Sequence, residues 1–237
     1  MEEFRSLEDL FDLQSTDLEI DRLLDRRQSL PELGLYRAAH EQVAGLEARL
    51  ADAEGRRRQA ELAADKAQGE LDVAEDKHKR EERRLYAGGI GARDAENLRK
   101  EVEMLHRLIL EREDQILELI EVREKAEAEV AELQAEQRVA QAEKDRLDAL
   151  IKEEWRAIDA DIARAEARKK AIVPLILPEL LDLYEGLRPH KQGVAVGRLS
   201  EGVCGGCHLR LSAAEQVEVL RDFPPRCMHC RRILVPQ

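Results

Sequence analysis

YRAAHEQVAGLEARLADAEGRRRQAELAADKAQGELDVAEDKHKREERRL, residues 36–85, decides the fold. Steps of three and four residues link Tyr36, Ala39, Val43, Leu46, Leu50, Ala53, Arg57, Ala60, Ala64, Ala67, Leu71, Ala74, His78, Glu81 and Leu85. Twelve of these fifteen positions are apolar, and the residues between them are mostly charged or polar. An apolar period of roughly 3.5 residues is the seam of a coiled coil, which buries one stripe against a second helix. A second seam follows downstream in Leu98, Val102, Leu105, Ile109, Ile116, Leu119, Ala126, Val130, Leu133, Ala140, Leu147, Ile151, Ile158 and Ile172, interrupted by polar residues such as Arg112, Arg123 and Lys144. Both seams are too long to be surface helices of a compact domain.

YAGGIGARDAEN, residues 86–97, separates them. Gly88, Gly89 and Gly91 are expected to supply positive backbone dihedrals for a reversal, and Asp94 is the expected N-cap of the next helix. The spacing predicts an antiparallel hairpin, because short loops make neighbouring helices antiparallel; an intermolecular coiled coil is its rival. Arms of about 50 residues would reach roughly 75 Å at 1.5 Å per residue, and the alanine-rich middle of the first arm is expected to draw the arms unusually close. Upstream, Leu10, Leu13, Ile20 and Leu24 mark an amphipathic helix over residues 3–29, with Asp17 on its stripe. Pro31 breaks the chain before the first arm. That helix is expected to lie beside residues 150–173, which outlast the first arm. Asp17 there either fixes register through Arg168 or Lys169 or sits on a partly exposed flank.

Composition agrees with a mainly α protein: 38% charged and 3% aromatic residues leave little material for a broad globular core. No run is apolar enough to span a bilayer, the best being residues 171–177, interrupted by Pro174. The acidic start MEEFRSLEDLF is unlike a basic signal peptide. The expected compartment is the cytoplasm, where thiols stay reduced. The domain reading is a helical hairpin over residues 1–187, with arms at about 32–86 and 95–173, a tip at 86–94 and a short helix at 178–187, followed by a small module over residues 188–237.

That module holds all four cysteines, as Cys204-x2-Cys207 and Cys227-x2-Cys230. Two such knuckles can present four thiolates tetrahedrally to one Zn2+, with iron or a disulfide pair as the alternatives. Four cysteines saturate tetrahedral zinc, so the ion would be structural, because a catalytic zinc keeps an open position. A module of under about fifty residues also needs such a staple to fold. Gly205 and Gly206 are expected to let the first knuckle turn sharply. Residues 194–196 and 233–235 have strand character, and Ser212 with Glu215 forms a capping box for a helix at 213–221. His208 and His229 lie beside or between ligands but are read as surface residues.

GRLSEGVCGGCHLRLS (197–212), CMHCRRILV (227–235), and the tip LYAGGIGARDAENLRKEVEML (85–105) with LILEREDQILELIE (108–121) resemble the bacterial C4-type zinc ribbon family. In that family, formerly a domain of unknown function, a coiled-coil hairpin precedes the ribbon. The resemblance spans nearly the whole chain and implies zinc on Cys204, Cys207, Cys227 and Cys230. It also implies a nucleic-acid-binding or protein-adaptor role, linked in different bacteria to transcription regulation, flagellar assembly and secretion. Many members have a proline in the tip, which this chain lacks near Ala92.

Charge is unequally divided. Residues 190–237 hold seven basic and four acidic residues, a formal +3, so the remainder carries −15 of the chain's −12. An acidic hairpin opposes nucleic acid, whose non-specific binding runs on phosphate neutralisation. Only the ribbon could bind RNA or DNA, through His208, Arg210, Arg226, His229, Arg231 and Arg232, unless these are ordinary solvated charges. Protein partners are expected on the hairpin, with Tyr86, Ile90 and Asp94 at the tip as contact positions. The expectation is a non-enzymatic zinc-binding protein, a nucleic-acid-binding or regulatory module on a coiled-coil spacer. The alternative is a protein adaptor or chaperone-like scaffold. A transcription-elongation cofactor holding a catalytic metal on Asp94 and Glu96 is a third reading. No nucleophile-base constellation, phosphate-binding loop or small-molecule site stands out.

Overall fold

The computed structural model describes residues 2–236; Met1 and Gln237, the outermost residues of the two sequence-derived domains, lie outside the described residues. In chain order come α1 (Glu2–Gln28), α2 (Pro31–Tyr86), α3 (Ala92–Ile172), a 3-10 turn (Val173–Leu175), α4 (Pro178–Leu187), a second 3-10 turn (Arg188–Lys191), β1 (Val196–Ser200), β2 (Val203–Cys204), α5 (Ala213–Val219) and β3 (Ile233–Pro236). Among the described residues no helix is long and apolar enough to cross a membrane. The chain forms two compact units. One is Leu35–Leu147; the other joins the residues up to Gly34 to those from Asp148 onward. This corrects the division at residue 188: the cysteine-bearing segment belongs to one unit with α1, α4 and the end of α3.

Leu35–Leu147 is a coiled-coil hairpin. On α2 the seam residues Ala39, Val43, Leu46, Ala53, Ala60, Ala64, Ala67, Leu71 and Ala74 are buried. On α3 their counterparts include Leu98, Leu105, Ile116, Val130, Leu133 and Ala140. Ion pairs across the seam run in opposite directions along the two arms: Arg49–Glu136 (3.7 Å), Arg56–Glu129 (2.7 Å), Glu70–Arg112 (3.0 Å) and Lys77–Glu101 (2.9 Å). The pairing is therefore antiparallel and within one chain. Exposed ion pairs each contribute about 0–1 kcal/mol, so they align the arms more than they hold them together.

Two expectations about the hairpin are corrected. The alanines do not draw the arms unusually close, since Cα atoms of α2 and α3 stay almost everywhere more than 8 Å apart. Large side chains fill the gap: Ala67 and Leu71 pack with Ile116, flanked by Ile109, Leu119 and Ile120. At the tip, Gly88 (φ 74°) and Gly89 (φ 83°) are left-handed but Gly91 is not. Asp94 is not the N-cap either. α3 begins at Ala92, with Ala95 N–H donating to Gly91 O at 2.9 Å. Asp94 sits in the first turn, where a carboxylate complements the helix dipole.

In the other unit, Leu7, Leu10 and Leu13 of α1 form one core with Ile176, Leu180 and Tyr184 around α4 and with Ala195, Val196, Ile233 and Val235 of the sheet. Farther along, α1 lies beside the end of α3, through Arg26–Glu154 (2.9 Å), Arg27–Asp159 (2.9 Å) and Arg168–Glu19. Trp155 Nε1 donates to Arg27 O at 3.1 Å. Leu24, expected on the buried stripe, is 42% exposed; at its level the charged pairs of Arg26 and Arg27 occupy the contact with α3. Asp17 is buried at 2% exposure and accepts from Lys169 Nζ (2.8 Å) and Tyr184 Oη (2.7 Å). Burial, and then the hydrogen bond to Asp17, push the Tyr184 phenol well above its ordinary value. Of the two proposed partners of Asp17, Lys169 is used and Arg168 turns to Glu19.

The sheet has order β2-β1-β3, antiparallel on one side of β1 and parallel on the other, with Val196 opposite Ile233. β1 starts at Val196 rather than 194, since Val194 N–H donates to Lys191 O in the preceding turn (3.1 Å) and its carbonyl accepts from Arg232 Nε (2.6 Å). The Gln14 side chain donates to Val196 O (2.9 Å) and accepts from Val196 N–H (2.7 Å), both bonds buried.

Two measurements check this fold. Spin labels attached through non-cysteine chemistry at positions 49 and 136 should lie roughly 20 Å apart, since packed helix axes are about 8–10 Å apart and labels add length. That distance should survive dilution with unlabelled chains. Gln14→Leu leaves both buried Val196 groups unpaired and should destabilise its unit by about 2–6 kcal/mol in chemical denaturation, at about 1–3 kcal/mol per buried group. The helical signal of the hairpin should not change.

Candidate metal centre

The cysteines sit on two loops of similar construction. In each, the carbonyl of the first cysteine accepts from the residue four positions on: His208 N–H to Cys204 O (2.8 Å) and Arg231 N–H to Cys227 O (2.9 Å). The N–H of the first cysteine donates to the carbonyl five positions on, Leu209 O for Cys204 (3.0 Å) and Arg232 O for Cys227 (2.9 Å). His208 and Arg231 are both left-handed, at φ 60° and 62°. An L-residue there costs about 1–2 kcal/mol, and closing the loop around the sulfurs offsets that cost. The sequence carried one signal for this role: each is the residue immediately after a Cys-x-x-Cys pair.

The glycines of the first loop act by close approach rather than by turning. Neither Gly205 nor Gly206 has a positive φ. A Cβ on Gly205 would meet Arg198 O at 2.9 Å, and one on Gly206 would collide with the Arg232 side chain. On β1, a Cβ on Gly197 would lie 2.7 Å from Gly206 N. The missing side chains let the knuckle lie directly on β1, where Gly205 N–H donates to Arg198 O at 2.7 Å. The expected capping box is formed, with Glu215 N–H donating to Ser212 Oγ (3.3 Å) and Ser212 N–H to Glu215 Oε2 (2.7 Å). The helix it opens ends at Val219, short of residue 221.

All four sulfurs lie within 4.8 Å of one another. Two edges are short, Cys204–Cys230 at 3.8 Å and Cys207–Cys227 at 3.9 Å, and no disulfide is formed. A tetrahedral metal with bonds of about 2.3 Å to sulfur requires sulfur–sulfur edges of about 3.8 Å, so these residues could hold one metal ion. Cys204 and Cys227 are fully buried, with Leu199, Leu211, Val219 and Leu234 packed around them. Burial pushes the Cys204 thiol up to about 12 and raises Cys227. At Cys230 burial also raises the thiol, but hydrogen bonds from the Arg232 backbone and side chain and from Cys207 and Cys227 bring it down to about 7. Buried thiolates need a cation, which a bound metal supplies.

The residues proposed for nucleic acid do not form one free basic face. Arg232 Nε donates to Val194 O (2.6 Å), Arg226 Nε to Arg231 O (3.2 Å) and Arg210 to Glu201 O (3.0 Å). His208 and Arg231 have exposed side chains, and His229 Nε2 lies 4.0 Å from Glu215 Oε1. At the hairpin tip, Tyr86 is 80% exposed, and Ile90 and Asp94 are exposed as well.

A coiled-coil hairpin continuous with a small sheet bearing four clustered cysteines defines the class of protein. Its helical part, residues 13–192, matches the model of the CT398-like coiled coil hairpin domain, and the chain belongs to that family. The match ends before Cys204 and so concerns the helices alone. Among curated proteins, the uncharacterized protein Rv2229c of Mycobacterium tuberculosis is 27% identical over 239 residues, covering 95% of this chain and 93% of that protein. A solved structure from Mycobacterium smegmatis superposes with a TM-score of 0.83 at 23% identity, over 99% of this chain and 98% of the other. CT398 from Chlamydia trachomatis gives 0.68 at 18% identity, over 98% of each chain. At these identities the structures share the fold.

Cys227→Ser should release any bound metal and make the remaining thiols reactive, read by thiol counting and metal analysis. The hairpin Leu35–Leu147 buries its own seam and should keep its helicity. Arg231→Gly should retain the metal, because glycine accepts a positive φ. Arg231→Pro should lose it, because proline fixes φ near −65° and removes the N–H that closes the knuckle.

Proposed function

We propose that the chain is a non-enzymatic protein adaptor, stabilised by one structural zinc ion on Cys204, Cys207, Cys227 and Cys230 and presenting its hairpin to partner proteins. The observation that carries the adaptor reading is the commitment of Arg210, Arg226 and Arg232 to carbonyls of their own module. Guanidinium groups so engaged are poorly placed for phosphate, while the acidic hairpin leaves Tyr86 and Ile90 in solvent at its tip. Large exposed aromatic and aliphatic side chains are the usual anchors of protein interfaces. A complete thiolate set on paired knuckles suits zinc, although tetrahedral iron takes the same donors, and a four-thiolate zinc has no position open for substrate. A reduced cysteine quartet suits the cytoplasm.

The test compares the zinc-loaded full chain with a Tyr86→Ala/Ile90→Ser double variant in crosslinking pull-downs with and without nuclease. Retention that survives nuclease and falls at least about tenfold in the variant is expected, the size of a lost interface anchor of roughly 1.4 kcal/mol or more. Nuclease-sensitive retention unchanged in the variant, together with direct binding of RNA or DNA at low salt, would overturn the adaptor in favour of a nucleic-acid module. Metal analysis should return one zinc per chain after extensive dialysis.

A further inference from the structure

Two turns from the tip, four side chains face one shallow cleft across the hairpin: His78 and Glu82 from α2, Glu103 and His106 from α3, with Val102 and Arg107 completing its lining. His78 and Glu82 are four residues apart and Glu103 and His106 three apart, so each pair shares one face of its helix. The two imidazole rings face each other across the seam, with centroids 6.1 Å apart and planes tilted by 49°. Most of the helix surface around them is laced with ion pairs such as Lys77–Glu101 and Lys79–Glu75. Among the described residues, none of the side chains of His78, Glu82, Glu103 and His106 makes a hydrogen bond or an ion pair. His78 takes a seam position, one of the three on the first arm that are not apolar.

We propose that His78, Glu82, Glu103 and His106 form a second metal site, for a divalent late transition ion such as zinc, which clamps the two arms of the hairpin near its tip. Imidazole and carboxylate are the oxygen and nitrogen donors such ions take at about 2.0–2.2 Å. Two imidazoles on one tetrahedral ion have centroids about 5 Å apart on that bond length. The observed 6.1 Å is about 1 Å wider. The donor atoms are not gathered as the four cysteine sulfurs are, but all four side chains are exposed or half-buried and have torsions free to turn toward one ion. Arg107, exposed on the rim, is free to swing into solvent. Paired helical carboxylates and histidines on facing helices are a standard way to build a metal site inside a helical bundle. This site is distinct from the cysteine quartet and does not depend on the adaptor reading.

The experiment uses the full chain loaded with one equivalent of Zn2+ and then dialysed against micromolar free Zn2+. One further equivalent is expected. It should be lost in His78→Ala and in His106→Ala, and weakened at least about tenfold in Glu82→Gln and Glu103→Gln, the lower end of what disturbing a metal site costs. Arg107→Ala should keep it. His106 is exposed and alanine favours helix, so unchanged circular dichroism is expected to show that this variant is folded. Cu2+ bound at the site should give an electron paramagnetic resonance spectrum coupled to two imidazole nitrogens, reduced to one in either histidine variant. Absence of a second equivalent, or one that both histidine variants retain, overturns the proposal.

Discussion

The three-stranded sheet is too thin to fold on its own, and everything at the cysteine end follows from that. Strand side chains alternate between faces. In β3 the alternation splits Ile233 and Val235 from Leu234: the first two join Leu7, Leu10 and Leu13 of α1, and the third joins Cys204 and Cys227. One face of the sheet is therefore completed by a helix from the start of the chain and the other by the cysteine loops. Neither half is sufficient, since three short strands need apolar cover on a face to be stable. The buried bonds of Gln14 to Val196 and the Asp17–Tyr184–Lys169 cluster fix where α1 lies against this layer. Buried charges are weak sources of stability, and fixing register is their best-attested use. Here they set register along a helix whose leucines alone would tolerate sliding by a turn.

The hairpin was legible because its physics is periodic. A seam of threes and fours survives without knowledge of any partner, and the buried residues of α2 lie on the positions the spacing gives. Asp17 was visible as an acid on an apolar stripe, and Lys169 was among its nameable partners. The cysteine quartet was legible from spacing alone. What escaped was non-local or backbone-level. Gln14 looks like any polar residue on a helix until Val196, 182 residues away, arrives beside it. Gly205 and Gly206 were seen, but for turning, because sequence does not reveal that β1 passes within touching distance. The left-handed backbones of His208 and Arg231, which close the cysteine loops, carry no mark in their side chains. Asp94 missed the cap because α3 starts at Ala92, and a glycine without a side-chain acceptor precedes it.

Basic residues near a metal are easily counted as a nucleic-acid surface, and formal charge encourages that count. The hydrogen bonds redistribute it. Arg232 spans from the second knuckle to Val194 and covers Gly206, so it cements the loops to the strand. Arg198 reaches the other way, pairing with Glu8 at 3.0 Å and lying over the Phe11 ring at 4.7 Å. A cation so placed gains from the ring face as well as from the carboxylate. Arg198 and Arg232 thus serve as connectors between layers.

The placement of Leu7, Leu10 and Leu13 against Ile233 and Val235 has a consequence for biosynthesis. During translation α1 emerges first, and the strand that covers it follows about 220 residues later, roughly 10–40 s at ordinary ribosomal rates. Through that interval the hairpin, whose contacts are between arms that emerge in sequence, can zip from its loop. The apolar face of α1 meanwhile is open to solvent until α4 emerges, and without β3 it is then only partly covered. Contacts of such long sequence separation form slowly even in a finished chain. The newborn protein therefore passes through a stage with a finished hairpin and an uncovered leucine stripe, the state most open to capture by chaperones or by another copy of itself.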